Sequence, residues 1–287
     1  MSDAPTRIEA VIFDLDGVIW HEYEPLDGAA EAVASARDMG LGVAFLTNTS
    51  SRSAQYLAQR LAEVGIEVHP DLIYTSARIA AQYVASRHQG ADEVAVVHGG
   101  RNILLKQIAA AGVRAVALKD LANGLAEIAD DARLLVVIGY SRTLRHNDVA
   151  TLLALAPRVT EYYASERDRW FGTASGPKPG AGWIVAAAGE VLARPVTVLG
   201  KPNPECLRIA AADLGVDVSR VLMVGDSVSS DIAAARAAGA RSCLFAPGKS
   251  AHATTAKHAP SDEAAIEADH TISHLDQIRR ILTEGAP

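Results

Sequence analysis

Short apolar runs alternate with helical patterns along nearly the whole chain of 287 residues. In the segment 53–64, for example, Leu57, Leu61 and Val64 fall on one helical face, and Gly65 ends the pattern. Further helices are predicted at residues 27–39, 101–111, 147–156, 204–214 and 231–238. Such alternation is typical of βαβ units around a parallel sheet, so the sequence predicts an α/β protein.

Four of the apolar runs end abruptly in polar residues. The run 11–13 leads into Asp14, Asp16 and Gly17; 43–46 into Thr47 and Asn48; 196–199 into Gly200 and Lys201; and 221–224 into Asp226 and then Asp231. Ligands of an open parallel sheet bind just beyond the carboxyl ends of its strands. If these four strands are neighbours, carboxylates, a hydroxyl and an ammonium converge on one point.

The second and third of these runs are separated by roughly 150 residues, far more than a crossover connection needs. This stretch has apolar runs of its own, at residues 94–97, 113–118, 134–138 and 159–163. We therefore expect a domain inserted at residues 89–194, with the core domain formed by residues 1–88 and 195–287. The segment 251–268, rich in Ala, His, Asp and Glu, is predicted to be a surface loop or a short helix.

Asp14 and Asp16 stand two residues apart at a strand end, so in extended backbone their side chains can face the same way. Two carboxylates this close can take different roles. One stays ionised as nucleophile and metal ligand, and the other is protonated and donates its proton to a leaving group. Gly17 allows a sharp turn after them. An isolated motif of this kind is as often a plain acidic turn, so the prediction depends on the other strand ends.

Thr47 and Asn48 fit a phosphate cradle, because a hydroxyl and successive backbone N–H groups would lie near the start of the helix at 53–64. Taken alone, this pattern is better explained as helix capping. Lys201 would supply the positive charge that a phosphoryl group requires. Gly17, Thr47, Asn48 and Lys201 are therefore the candidate phosphate-binding residues.

Asp226 offers a further carboxylate for a hard cation. Mg²⁺ prefers oxygen ligands, keeps several waters and usually takes one or two carboxylates. Asp14 and Asp226 together with a backbone carbonyl would satisfy it. Asp231 lies further along the chain, and we expect it to orient Lys201 or a metal-bound water rather than to bind the metal.

Composition restricts the partners and the compartment. The net charge of −7 argues against a broad nucleic-acid surface. No apolar run approaches the ~18 residues that a membrane span needs, and no signal-peptide pattern follows the polar first residues. Cys206 and Cys243 have no metal-ligand spacing. We expect a cytoplasmic protein without membrane or nucleic-acid partners.

The four strand-end motifs resemble those of the haloacid dehalogenase superfamily. Their order and spacing are similar to the NagD-like branch, whose large α/β cap is inserted between the second and third motifs. The resemblance covers residues 8–246 and includes a Pro-Gly-Ala-Gly stretch at 179–182. It implies a Rossmann-like core with an inserted cap, and a homodimer through that cap is possible in this branch.

The resemblance also implies a reaction and roles. Asp14 would form an aspartyl-phosphate, and Asp16 would protonate the leaving group, then deprotonate water. Mg²⁺ would be bound by Asp14, the Asp16 carbonyl and Asp226. The substrate would be a small phosphorylated metabolite: a sugar phosphate, glycerol phosphate, phosphoglycolate, nucleotide or aryl phosphate.

Two alternatives stay open. A phosphotransferase or mutase could use the same intermediate, although mutases of this superfamily usually carry their cap between the first two motifs. Only the short stretch 18–43 separates those motifs here. The other alternative is a phospholigand-binding protein that is catalytically silent. The four intact motifs argue against it.

The cap departs from the branch at residues 166–168, where Glu-Arg-Asp replaces a common Asn-Pro-Asp triplet. Because of this departure, the resemblance does not identify the substrate. The charged segment that follows the strand at 159–163 is the part of the cap most suited to meet a leaving group. Arg167, Asp168 and Arg169 are therefore the candidate specificity residues.

Overall fold

A computed structural model describes residues 7–88, 90–173, 175–247 and 266–283 of the chain. These residues form two parallel sheets covered by helices, which confirms the predicted α/β class. We call the unit with the six-stranded sheet the core and the unit with the five-stranded sheet the cap. The predicted loop or short helix at 251–268 lies outside the described residues, apart from 266–268.

The core sheet is parallel and has the strand order β15-β14-β13-β1-β4-β5. Its strands are β1 (Ala10–Phe13), β4 (Gly42–Thr47), β5 (Ile73–Thr75), β13 (Val221–Gly225), β14 (Arg241–Phe245) and β15 (His270–Ile272). A small hairpin of β2 (Trp20–His21) and β3 (Glu24–Pro25) follows β1. All four residues of β1 are fully buried, as expected for an apolar run covered on both faces.

Helices cover both faces of the core sheet. They are α1 (Ala29–Asp38), α2 (Ala54–Glu63), α8 (Glu205–Asp213), α9 (Ala233–Ala238) and α10 (Ile278–Thr283). Val11 and Phe13 pack on one side with residues of α1, α2 and α10. Ala10 and Ile12 pack on the other side with residues of α8 and α9, because successive strand residues face opposite ways.

The cap sheet is also parallel and has the order β12-β9-β8-β6-β7. Its strands are β6 (Glu93–His98), β7 (Ala115–Ala117), β8 (Arg133–Ile138), β9 (Val159–Ala164) and β12 (Thr197–Val198). Its helices are α4 (Ile103–Ala110), α5 (Leu118–Ala122), α6 (His146–Leu155) and α7 (Gly182–Leu192). A hairpin of β10 (Trp170–Phe171) and β11 (Lys178–Pro179) lies between β9 and α7.

The helix α3 (Ser76–Arg87) joins the two units. Its Ile79 packs with the core cluster that contains Ile12. Its Ala80 and Val84 pack instead with cap residues of β6 and α4. One apolar helix therefore serves both hydrophobic cores.

One strand prediction was wrong. The run 196–199 was predicted as a core strand, but Thr197 and Val198 pair with β9 at the edge of the cap sheet. Hydropathy identifies a strand but not the sheet that it joins, and this strand is only two residues long. The domain bounds stay a prediction, although this pairing favours a cap that ends near residue 199.

Each predicted helix agrees with the observed one to within two residues at both ends. The start of α2 is capped by Ser53, whose hydroxyl accepts the Tyr56 N–H at 3.2 Å. The start of α4 is later than predicted because Arg101 and Asn102 have φ angles of 47° and 66°. None of the described helices has both the length and the apolar character that crossing a bilayer requires.

Candidate active site

Two parallel neighbours, β1 and β13, place Asp14 and Asp226 at the same edge of the core sheet. Phe13 lies opposite Val224, and the Asp14 N–H donates to the Val224 carbonyl at 2.9 Å. Parallel strands end at a common edge, so the residues that follow them meet there. The structure brings these two predicted carboxylates together.

Lys201 reaches the same point from the chain that returns from the cap. Its Nζ lies 2.7 Å from Asp14 Oδ1 and 2.7 Å from Asp231 Oδ1, and it donates to the Leu46 carbonyl at 3.2 Å. Burial disfavours the charged ammonium, but the two carboxylates outweigh burial and raise the pKa of Lys201 above its ordinary value. Lys201 therefore stays cationic beside Asp14.

Asp14, Asp226 and Asp231 form a cluster in which one oxygen of each lies within 4.8 Å of the others. Three convergent carboxylates are a donor set that suits a hard cation such as Mg²⁺. Sequence spacing predicted only the first two as ligands and gave Asp231 the task of orienting Lys201. The observed ion pair of Asp231 with Lys201 agrees with that task. The cluster also shows that an Asp231 oxygen lies close to the carboxylate oxygens of the two predicted ligands.

Two glycines make room for this cluster. Gly17 has a φ of +94°, and a Cβ there would lie 2.2 Å from Asp226 Oδ2. A Cβ at Gly225 would lie 2.1 Å from the Asp231 Cβ. Both positions therefore require glycine for close approach, and Gly17 requires it for its conformation as well. The sequence predicts the turn at Gly17 but not the close approach of Asp226.

Asp16 lies beside this cluster and is exposed. Its Oδ1 accepts a hydrogen bond from the indole N–H of the buried Trp20 at 3.1 Å. The carboxyl group is thereby held on the side that faces the cavity. Trp20 is a supporting residue whose contact the sequence did not specify.

Thr47 is the last residue of β4, the other neighbour of β1, and Asn48 follows it. The Thr47 side chain is buried, and its Oγ1 accepts the Thr49 N–H at 3.3 Å. The Asn48 side chain accepts the Lys201 N–H at 2.9 Å and donates to the Lys201 carbonyl at 3.1 Å. Asn48 thus fixes the backbone that carries Lys201, a contact across 153 residues of sequence.

The cap loop after β9 reaches the core at one predicted specificity residue. Asp168 accepts a hydrogen bond from the Asn48 side chain at 3.2 Å. Next to it Glu166 is buried, and burial together with the Asp168 charge raises the pKa of its carboxyl well above the ordinary value. Arg167 and Arg169 are exposed and do not line the cavity described below. Their role in specificity stays a prediction.

A cavity of about 580 Å³ lies between core and cap. Asp14, Thr47 and Lys201 line its core side. On the cap side it is lined by Trp170, Phe171 and Lys178, which belong to the predicted segment after the strand at 159–163. Arg101, Tyr140 and Arg142 also line it, and the sequence did not identify these three. Arg101 and Arg142 each follow an apolar cap strand within four residues, the same strand-end signal that identified the core motifs.

Comparison with known proteins agrees with this geometry. Residues 11–114 match the family "Haloacid dehalogenase-like hydrolase", and residues 198–278 match a family described as HAD-hydrolase-like. Chronophin of Rattus norvegicus is 31% identical over 242 residues, which cover 81% of this chain and 74% of that protein. Ribonucleotide monophosphatase NagD of Escherichia coli K12 is 28% identical over 243 residues, which cover 85% of this chain and 89% of that protein.

A solved structure shows the same architecture. The p-nitrophenyl phosphatase from Archaeoglobus fulgidus has a TM-score of 0.76 to this chain at 26% identity. The superposition covers 96% of this chain and 100% of that chain. The likeness therefore extends over both core and cap.

Proposed function

We infer the mechanism from the premise that this chain belongs to the haloacid dehalogenase-like hydrolases, in the family of NagD and the p-nitrophenyl phosphatases. The chain is a small-phosphomonoester phosphatase of that family. The observation that supports our mechanism most strongly is the buried contact of Lys201 with Asp14 at 2.7 Å. This contact supports a permanent cation beside the carboxylate that we propose as nucleophile, and both residues line a cavity large enough for a small ester.

The first half-reaction uses Asp14 as the nucleophile. A carboxylate oxygen of Asp14 attacks phosphorus, and the bond from phosphorus to the ester oxygen breaks. Lys201 is held by Asp14 and Asp231, so its charge is already in place for the oxygens of the transferring phosphoryl group. Thr47 lies at the end of the neighbouring strand. We propose that its hydroxyl and the backbone N–H groups of the loop after it bind the phosphoryl oxygens.

Asp16 handles the protons in both half-reactions. It donates a proton to the departing ester oxygen, and later accepts one from the water that hydrolyses the aspartyl-phosphate. The Trp20 N–H occupies Oδ1 of Asp16 as an acceptor, so we assign the transferred proton to Oδ2. After water attacks, phosphate leaves and Asp14 regains its carboxylate.

Asp14, Asp226 and the Asp16 carbonyl are the residues that we propose hold Mg²⁺, with Asp231 within reach of the same cluster. When bound, the ion would neutralise charge on the phosphoryl oxygens and on the neighbouring carboxylates. The three-carboxylate donor set fits such an ion, because one cationic Lys201 balances only part of its charge. Gly17 contributes by letting the Asp226 carboxylate approach.

The substrate is a small phosphorylated metabolite, and we propose that residues of the cap select which one. The relatives act on different esters by name, ribonucleotides in one case and p-nitrophenyl phosphate in another. We propose that Asp168 takes part in substrate selection, since it lines the cavity and contacts Asn48. Homodimerisation through the cap and a cytoplasmic location stay predictions.

The reaction is tested by measuring both products of p-nitrophenyl phosphate hydrolysis. A phosphatase releases p-nitrophenol and inorganic phosphate in equal amounts, also when sugar alcohols are present. A phosphotransferase would release less phosphate than p-nitrophenol once an acceptor is added. A silent binding protein would release neither, and that result would refute the proposed function.

A further inference from the structure

Two loops of the cap meet at the point where its sheet reverses strand order. The first strand, β6, has β7 on one side and β8 on the other, so the loops after β6 and β8 flank a topological switch point. Open α/β sheets bind ligands in the crevice at such a point, outside the carboxyl ends of the strands. A cavity of about 480 Å³ lies there, lined by His98, Arg101 and Arg142 among others.

These two loops contact each other and the catalytic core. The Tyr140 N–H donates to the Oγ of the fully buried Ser50 at 2.8 Å, and the Gly100 N–H donates to the Tyr140 carbonyl at 2.8 Å. A Cβ at Gly139 would lie 2.8 Å from Leu104 and 3.0 Å from Ser50 Oγ, so the loop and the core are in close contact. The loops therefore contact the core at Ser50, which lies close to Thr47 in the chain.

The crevice is strongly basic. Its cations are Arg101, Lys119, Arg142 and Arg145. The acid that lines it, Asp148, accepts a hydrogen bond from the Arg145 backbone N–H at 2.8 Å. Among the ion pairs found within the described ranges, none involves Arg101 or Arg142. Clustered like charges repel one another, so this arrangement suits an anion.

Arg101 also has a strained backbone. It lies in the left-handed region, with φ 47° and ψ 39°, and the following Asn102 has φ 66°. This region is unfavourable for non-glycine residues, and such residues tend to cluster where a ligand is held. The strain starts α4 two residues later than the sequence predicts, at Ile103, and leaves Arg101 at the junction of the two cavities.

Arg101 and Arg142 line both the basic crevice and the catalytic cavity that contains Asp14 and Lys201. We propose that these two arginines bind a second anionic group, a carboxylate or a phosphate, on the leaving group of the substrate. The inference depends on the proposed phosphatase function and narrows its substrate class to phosphorylated acids and bisphosphates. Guanidinium groups suit both anions, because their paired N–H donors match two oxygens at once.

The test compares matched pairs of esters that differ in one anionic group. Three pairs of different length are 3-phosphoglycerate with glycerol 3-phosphate, 6-phosphogluconate with glucitol 6-phosphate, and adenosine 3′,5′-bisphosphate with AMP. We expect the wild-type kcat/KM to favour the anionic member of at least one pair by about 10-fold or more. Arg101→Gln and Arg142→Gln should each reduce that preference by a similar factor.

Lys106→Gln is the matched control, because Lys106 is an exposed cation of α4 that lines neither cavity. It should leave the preference unchanged. Equal losses on both members of every pair would overturn the inference and assign the arginines to cap docking. A wild-type enzyme without any preference for the anionic members would also overturn it. Turnover of p-nitrophenyl phosphate separates this failure from failure of the phosphatase function itself.

Discussion

The side-chain amide of Asn48 in the core donates to the carboxylate of Asp168 in the cap across 3.2 Å. The same amide also bridges the backbone of Lys201. One side chain therefore connects the phosphate site with the loop that covers it. Loss of Asn48 should disturb both, whereas loss of Asp168 should disturb the cap contact alone.

Asn48→Ala should lower kcat/KM for p-nitrophenyl phosphate about 10- to 100-fold, since it removes hydrogen bonds that position a buried cation. Asp168→Ala should cost less, about 3- to 10-fold. Steady-state kinetics of both variants checks this order. An Asp168→Ala loss that equals or exceeds the Asn48→Ala loss would contradict the assigned roles.

Gly17→Ala should impair metal binding. The new Cβ would lie 2.2 Å from Asp226 Oδ2, so the carboxylate must move. We expect the Mg²⁺ concentration for half-maximal activity to rise about 10-fold or more, a shift of about 1.4 kcal/mol.

The matched control is Gly40→Ala, where φ is +73° but nothing lies within 4 Å of the added Cβ. This variant carries a similar backbone strain of about 1–2 kcal/mol and should lower thermal stability without changing the Mg²⁺ requirement. If both variants shift the Mg²⁺ dependence equally, the contact of Gly17 with Asp226 does not matter for the metal.

Chelation should abolish phosphate release, and Mg²⁺ should restore it. The carboxylates of Asp14, Asp226 and Asp231 repel one another, and the single positive charge of Lys201 does not balance all three. Ca²⁺ should not restore activity, because it takes about 6–8 ligands at longer distances and would spoil the attack geometry. Full activity in excess chelator would exclude a metal role for this cluster.

Glu93 should make stability depend on acid pH. Burial opposes its charge, but the Gly90 N–H and the His88 side chain outweigh burial and lower the pKa of Glu93 below its ordinary value. A carboxyl whose folded pKa is depressed stabilises above its unfolded pKa, and this stabilisation is lost as pH falls through the folded pKa. Glu93→Gln should therefore lower the free energy of unfolding by about 1–2 kcal/mol at pH 7 and by much less at pH 3.

Denaturant unfolding at the two pH values measures this difference. Glu127→Gln serves as the control, because Glu127 is exposed on the same unit and should show no such dependence. A Glu93→Gln destabilisation that persists undiminished at pH 3 would show that its charge is not the cause.

The core of the site could be predicted because parallel strands that end in polar residues must present them at one edge. Asp14 and Asp226 directly follow β1 and β13, and Thr47 is the last residue of β4. These three strands are adjacent in the sheet. That geometry follows from chain pattern alone. Lys201 reaches the same point although the strand before it joins the cap sheet, so the prediction of its position was correct for a partly wrong reason.

The cap side could not be predicted in the same way. Which part of the insertion meets the core depends on close packing, such as the contact of Ser50 with the Tyr140 loop across 90 residues of sequence. The density of charge led to the prediction of Arg167 and Arg169, and neither lines the cavity. Strand-end position, which also marks Arg101 and Arg142, is the more informative signal here.

The turnover of Asp14→Asn with p-nitrophenyl phosphate and excess Mg²⁺ tests the central claim most directly. The amide is not a competent nucleophile, so kcat should fall by at least about 1,000-fold. Asp231 still pairs with Lys201 in this variant, and circular dichroism should show a folded protein. A folded Asp14→Asn protein that keeps more than a few per cent of the wild-type kcat would contradict the assignment of Asp14 as nucleophile.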